Sequence, residues 1–199
     1  MEATRQPKQA RAIRTRERIL DQAEQAFAAK GFEAASLTSD ILDPAGISVG
    51  SFYHQFTDKR AVLLALLEER RTWRDLVAEV EDAAAATTSA TDALRAGLLV
   101  MLDAIDRHPE PWWIHFRELH SADPDIRQLI ADSWSAWHRA VAELLCERGG
   151  GPTDAGRMAL ATRGLAGVLH GYLTGEPVAR RALRSQLDGV VDGCIAALG

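Results

Sequence analysis

Residues 45–56 read AGISVGSFYHQF, and no other stretch limits the fold so tightly. Ala45-Gly46 breaks one short helical segment. Ser48 is placed to cap the next, because its hydroxyl can accept a backbone N–H left open in the first turn. The segment from Ser48 to His54 is too short for a core helix, yet it carries two aromatics and a polar edge of Ser48, Ser51 and His54. Just upstream, Leu37 to Asp43 is predicted to form another short helix, anchored by Ile41 and started at Ser36 or Thr38. Two short helices joined by a tight turn containing glycine make a helix-turn-helix, whose second helix enters the DNA major groove. Gly50 and Ser51 keep the exposed face of that helix low, so a backbone can approach DNA closely.

The surrounding run, RERILDQAEQAFAAKGFEAASL and then AGISVGSFYHQFTDKRAVLLALLEE, resembles the N-terminal DNA-binding domain of the TetR family of transcriptional regulators. The matching positions are Ile19-Leu20, Ala23, Phe27, Gly31-Phe32, Ile41, Ala45-Gly46-Ile47-Ser48, Gly50-Ser51-Phe52-Tyr53, Phe56 and Lys59. They lie within residues 14–68, about a quarter of the chain. The resemblance implies a homodimer on a palindromic double-stranded operator, released by a small-molecule effector, with repression the family's commoner mode. There is one departure. The stretch from Gly31 to Gly46 is one residue longer than is usual for the family, and it holds Pro44 where the first motif helix should end. Proline has no N–H to donate and crowds the turn before it.

Charge supports contact with phosphate at one end only. The net charge is −5, which excludes a globally basic coat for nucleic acid. Yet Arg5, Lys8, Arg11, Arg14, Arg16 and Arg18 face only Glu2 and Glu17 in the first 18 residues, while residues from 61 onward carry 14 basic and 20 acidic side chains. A basic arm on an acidic body is the footprint expected of local phosphate contact. The two cysteines, Cys146 and Cys194, make no disulfide framework and have no zinc spacing. No apolar leader follows the basic start and no run approaches a membrane span, so a cytoplasmic chain without membrane contact is expected. No cofactor or metal is called for.

Apolar residues recur at helical spacing along the whole chain, without strand alternation. The expectation is an all-α fold of about nine helices. Residues 1–57 would form the arm and DNA-binding head, and 58–199 the effector-binding and dimerisation domain. A first helix runs from about Ala10 to Gly31, which stops it. A long helix from about Asp58 to Asp82, with Val62, Leu66, Trp73, Val77 and Val80 in one stripe, would join head to body. Later helices cover about 94–105, 111–121, 124–147, 154–174 and 177–198, punctuated by Pro109, Pro124 and the Gly149–Pro152 stop.

Three constellations are candidate sites. In the motif, Val49, Gly50, Ser51 and His54 lie nearest the groove with Ser48 and Thr38, while Tyr53 and Lys59 would clamp phosphates. Phe52 and Phe56 are expected in the core. In the last helices, Gly164, Gly167 and Gly171 share a face with Gly175, followed by the stripe Leu183, Leu187, Val190, Val191, Cys194. Glycines weaken a helix but admit another backbone closely, which suits a dimer bundle; ordinary intrachain packing is the alternative. Finally, Trp112, Trp113, Phe116, Trp134 and Trp137, with His115, His138 and His170, would wall an apolar pocket with polar handles, or simply fill a core. A helical enzyme or small-molecule carrier is the competing function, but no nucleophile elbow, phosphate loop or carboxylate pair supports catalysis.

Overall fold

A computed structural model of the chain describes residues 5–69, 74–149 and 155–198. Trp73, at the middle of the expected long helix, and the side chains of His138 and Cys194 lie outside the described residues. The described chain is helical throughout, with eleven helices: α1 (Arg5–Lys30), α2 (Leu37–Leu42 continued by Asp43–Ala45), α3 (Val49–Tyr53), α4 (Lys59–Glu69), α5 (Arg74–Ala85), α6 (Ala90–Arg107), α7 (Glu110–Glu118), α8 (Pro124–Gly149), α9 (Ala155–Thr174), α10 (Pro177–Ser185) and α11 (Leu187–Leu198). More helices are described than expected, in part because residues 70–73, between α4 and α5, lie outside the described residues. The 58–82 stripe is described as α4 and α5, and the last helix is broken at Gln186, whose φ of −108° and ψ of 15° leave the helical range.

The helices gather into two compact units. One spans Met1–Arg70 and Glu110–Ile130; the other spans Arg71–Pro109 and Ala131–Gly199. In the first, α1 starts at Arg5 rather than near Ala10, and ends where Gly31 takes a φ of 81°. Its apolar face of Ile19, Leu20, Ala23 and Phe27 is buried, with Ile41, Leu42, Phe52, Phe56, Val62, Leu63 and Leu66. Phe27 meets Phe32 edge-on at 5.6 Å, and Phe52 stacks on Phe56 at 6.0 Å.

α2 begins with an irregular turn. Leu37–Leu42 is a π-helix, in which the Asp43 N–H reaches back five residues to the Thr38 carbonyl. A widened turn is how a helix absorbs one extra residue without shifting the faces on either side. Ile41 and Leu42 stay buried as a result. Pro44 falls in the first positions of the α-helical turn that follows, where a missing N–H leaves little unsatisfied. Gly46, at φ 62°, closes the helix with a Schellman pair: its own N–H bonds Asp43 O at 3.0 Å, and the Ile47 N–H bonds Leu42 O at 3.0 Å.

α7, in the later segment of this unit, packs against α1. Trp112, Ile114, His115 and Glu118 are its buried side chains. Arg60 of α4 binds Asp123 through two nitrogens and also pairs with Asp125. The Arg60 guanidinium holds the Asp123 carboxyl down to about 2.

In the second unit α5 lies along α6, so closely that a Cβ on Gly97 would sit 3.0 Å from Val80. Ser89 caps α6 by accepting the Asp92 N–H at 3.0 Å. Leu94, Leu98, Met101, Leu102 and Ile105 of α6 share this core with Leu165, Leu169 and Leu173 of α9 and Leu187 and Val191 of α11. α10 buries no side chain of its own. It is held by charge: Arg184 donates to Asp103 at 2.7 Å and Asp106 at 2.9 Å, and Tyr172 donates to Asp106 at 2.7 Å.

His115 generates a prediction about pH. Its Nδ1 lies 2.8 Å from the Pro111 carbonyl oxygen, and burial pushes its pKa down to about 4 from an ordinary 6.5. The folded chain therefore keeps His115 neutral where an unfolded chain would protonate it. Stability from this group is full above about pH 6.5 and is lost as pH falls towards 4, because the unfolded state then binds more protons. The urea midpoint of the wild type is expected to fall over that window, and that of His115→Gln to fall less. Parallel curves would show that His115 is not held neutral in the fold.

Candidate nucleic-acid interface

The Ser48 oxygen caps α3 by accepting the Ser51 N–H at 3.2 Å, and its own hydroxyl donates to that of Ser51 at 3.0 Å. Phe52 is fully buried and fixes the inward face of the helix. The outward face is open: Val49 is 50% and Tyr53 58% exposed, and Ser48, Gly50, Ser51 and His54 are exposed or nearly so with them. A Cβ built on Gly50 meets nothing within 4 Å, so glycine is not required there by packing within the chain. Thr38 is also exposed, on the π-helical turn of α2.

Lys59 is placed differently from a phosphate clamp. Its ammonium donates to the carbonyl oxygens of Phe32 at 2.6 Å, Glu33 at 3.2 Å and Ala35 at 2.8 Å, and sits 4.6 Å from the centre of the Phe32 ring. An ammonium has three donors, and here all three are committed to the turn between α1 and α2. Lys59 is corrected to a brace of the head.

The cations beside α3 come from α1 instead. Arg11, Arg14 and Arg18 recur at helical spacing and line a cleft of about 410 Å³ with Thr15, Gly46, Ile47, Ser48 and Ser51. Arg18 donates to the Ala45 carbonyl oxygen at the end of α2, and Arg16 lies 4.4 Å over the Phe56 ring. The basic run in the sequence contains all three, and the structure adds that they line the cleft beside α3. Their i, i+3, i+7 spacing, already inside the helix expected from about Ala10, puts them on one face.

The expected pocket residues divide between the two units. Trp112 and His115 are buried in the first, with Trp113 and Phe116 half-buried; Arg117 lies 5.5 Å over the Trp113 ring. Trp134 and Trp137 are buried in the second, where the Trp137 indole N–H finds no acceptor among the described residues. His170 is exposed on α9, so it is no buried handle. Of the dimer stripe, Leu187 and Val191 are buried within the chain's own core, a correction that removes them from any free face. Leu183 and Val190 are half-buried, while Gly164, Gly167 and Gly171 are exposed and a Cβ on any of them meets nothing within 4 Å. Among the described residues no group of three or more His, Cys, Asp or Glu is placed to hold a metal ion, and no helix is long and apolar enough to cross a membrane.

Comparison with known proteins agrees with this geometry. Residues 19–66 match the family model for bacterial regulatory proteins of the tetR family. The chain is 27% identical over 143 residues to the HTH-type transcriptional activator FasR of Mycolicibacterium smegmatis. That match covers 72% of this chain and 64% of the relative, so the chain spans less than two thirds of the length of FasR. In fold it is similar to a TetR-family transcriptional regulator from Streptomyces coelicolor (TM-score 0.71, 20% identity, covering 100% of this chain and 96% of that one). It is also similar to the transcriptional regulator FadR from Bacillus subtilis, solved in complex with stearoyl-CoA (TM-score 0.68, 18% identity, covering 92% and 99%). All three are named for transcriptional regulation. The head thus matches the tetR family model over residues 19–66, and the chain has the fold of solved TetR-family transcriptional regulators.

Proposed function

We propose that this regulator binds a palindromic operator as a homodimer through α3 and lets go when an apolar effector binds its helical body. The observation that carries the reading is the two-sided character of α3. Its inward face is locked by Phe52, while Val49, Ser51, Tyr53 and His54 stand in the open beside the arginine cleft. Val49, Gly50, Ser51 and His54 would meet base edges, and Tyr53, Arg11 and Arg14 the phosphates. Operator half-sites about 34–36 Å apart, or a multiple of that, would suit two such helices. Residues 1–57 carry the DNA-reading elements in this scheme and 58–199 the effector and dimer functions, in the cytoplasm with the DNA. Repression is the expected mode; the related FasR is named an activator, and a promoter fusion in the host reads out the sign.

Arg14→Ala and Tyr53→Ala are expected to weaken all DNA sequences alike. Arg14→Ala should flatten the slope of log affinity against log salt by about 0.9 for the phosphate it no longer neutralises, while Tyr53→Ala, which removes an uncharged donor, should leave the slope unchanged. Ser51→Ala and His54→Ala are expected to change the ranking of operators instead. An unchanged salt slope in Arg14→Ala and an unchanged affinity in Tyr53→Ala would remove α1 and Tyr53 from the interface.

The open glycine face of α9 supports the homodimer, because nothing among the described residues lies within reach of a Cβ there. Gly167→Leu is expected to fold yet sediment as a monomer and to lose operator affinity through lost bivalency. A fully dimeric Gly167→Leu protein would move the interface elsewhere.

Two observations support the effector class. The second unit buries Trp134 and Trp137 beside an aliphatic core, and FadR of Bacillus subtilis was solved with stearoyl-CoA. A long acyl thioester is therefore the first ligand to try, ahead of flat aromatic compounds. Stearoyl-CoA is expected to change Trp fluorescence and to weaken operator binding about 5- to 150-fold, the usual scale of such coupling. Binding of stearoyl-CoA with operator affinity unchanged would sink the switch.

A further inference from the structure

The turn between α1 and α2 is gripped from two sides. Its carbonyls at Phe32, Glu33 and Ala35 accept from Lys59 of α4. On the other side, the backbone N–H of Phe32 donates to Glu118 Oε1 at 3.0 Å, a buried bond between residues 86 apart in sequence. Glu118 comes from the last turn of α7 and is only 7% exposed.

That is an unfavourable place for a carboxylate. Burial disfavours the charge, and the carboxylate sits at the C-terminal, negative end of its own helix dipole. An apolar residue there would pack against the turn more favourably but would leave the Phe32 N–H without this acceptor. What Glu118 contributes is the position of one peptide group. From that peptide the path to α3 is short and stiff. Asp40 accepts the Ser36 N–H at 2.8 Å and pairs with Lys30 at 2.6 Å, Ser36 caps α2, and the Gly46 closure hands α2 on to α3. Arg60, paired with Asp123 and Asp125, ties α4 to the start of α8 in the same unit.

We infer that Glu118 is a positioning residue for DNA reading: its carboxylate holds the α1–α2 turn, and through it the attitude of α2 and α3, so that α7 is a working part of the DNA-binding head. A displacement of α7 then changes operator recognition without unfolding the motif. This inference rests on the DNA-binding reading above.

The test uses the full chain and an operator selected from random duplexes by the wild-type protein. Failure of the wild type to select any DNA overturns the DNA reading itself, and this inference with it. With an operator in hand, Glu118→Ala is expected to lose about 10- to 100-fold in operator affinity while affinity for random DNA and the salt slope stay unchanged. Glu118→Gln keeps an oxygen acceptor and is expected to stay within about three-fold of wild type. Amide exchange at Phe32 is expected to be slow in the wild type and in Glu118→Gln, and fast in Glu118→Ala. If Glu118→Ala does not fold, Glu118→Asp serves, with the charge retained but the acceptor drawn back by one methylene; it is expected to lose operator affinity several-fold at an unchanged melting temperature. Wild-type operator affinity in the variant with a freely exchanging Phe32 amide overturns the inference. So does a Glu118→Gln protein that loses as much as Glu118→Ala.

Discussion

The ammonium of Lys59 holds three carbonyl oxygens of a single turn, and the rest of the N-terminal head depends on that contact. The turn from Gly31 to Ala35 lies between two helices and cannot satisfy all of its own backbone groups. Phe32 and Ala35 are buried there, so carbonyls without partners would cost roughly 1–3 kcal/mol each. One flexible cation from the first turn of α4 answers three of them, and Glu118 answers the neighbouring N–H. The turn is fixed by charges that come from outside it. Everything downstream, from the cap at Ser36 to α3, starts from this fixed point.

From there the chain solves a local conflict without disturbing the core. A π-helical turn carries one residue more than an α-helical turn, a difference that in a regular helix would rotate everything after it by about 100°. The π-helical turn takes up that rotation inside Leu37–Leu42. Pro44 then falls where its missing N–H does least harm, and Gly46 supplies the left-handed residue that ends the helix. As a result α3 arrives with Phe52 inward and Val49, Ser51, Tyr53 and His54 outward. The exposed face of α3 is a by-product of how tightly its other side is held.

The aromatic residues divide their work. On α7, Trp112 and His115 are structural, packing that helix into the first unit and keeping an imidazole neutral. On α8, Trp134 and Trp137 belong to the second unit, where the buried Trp137 N–H has no acceptor among the described residues. In that unit charge does for α10 what burial does for the other helices. Arg180 and Arg184 both lie 5.4 Å from the Tyr172 ring and both reach Asp106, so a helix with no buried side chain still has a fixed seat.

The helical class, the helix-turn-helix and the inward-facing residues of α3 were all legible in the order of the amino acids. Those properties follow from short-range periodicity and capping, which are written in neighbouring residues. Phe27, Ile41, Phe52 and Phe56 could be read as core for that reason, and Ser48 as a cap. The roles of the long polar side chains emerged only once the helices were packed. Lys59 at the start of a helix looks the same in sequence whether it meets a phosphate or three carbonyls, and Glu118 carries no local mark at all. Their partners lie 24 to 27 and 86 residues away, and long flexible side chains take their roles from whichever unsatisfied backbone group folding brings within reach. The same holds for Leu187 and Val191, whose apolar stripe announces burial but not against which helix, since hydrophobic contact has no direction of its own.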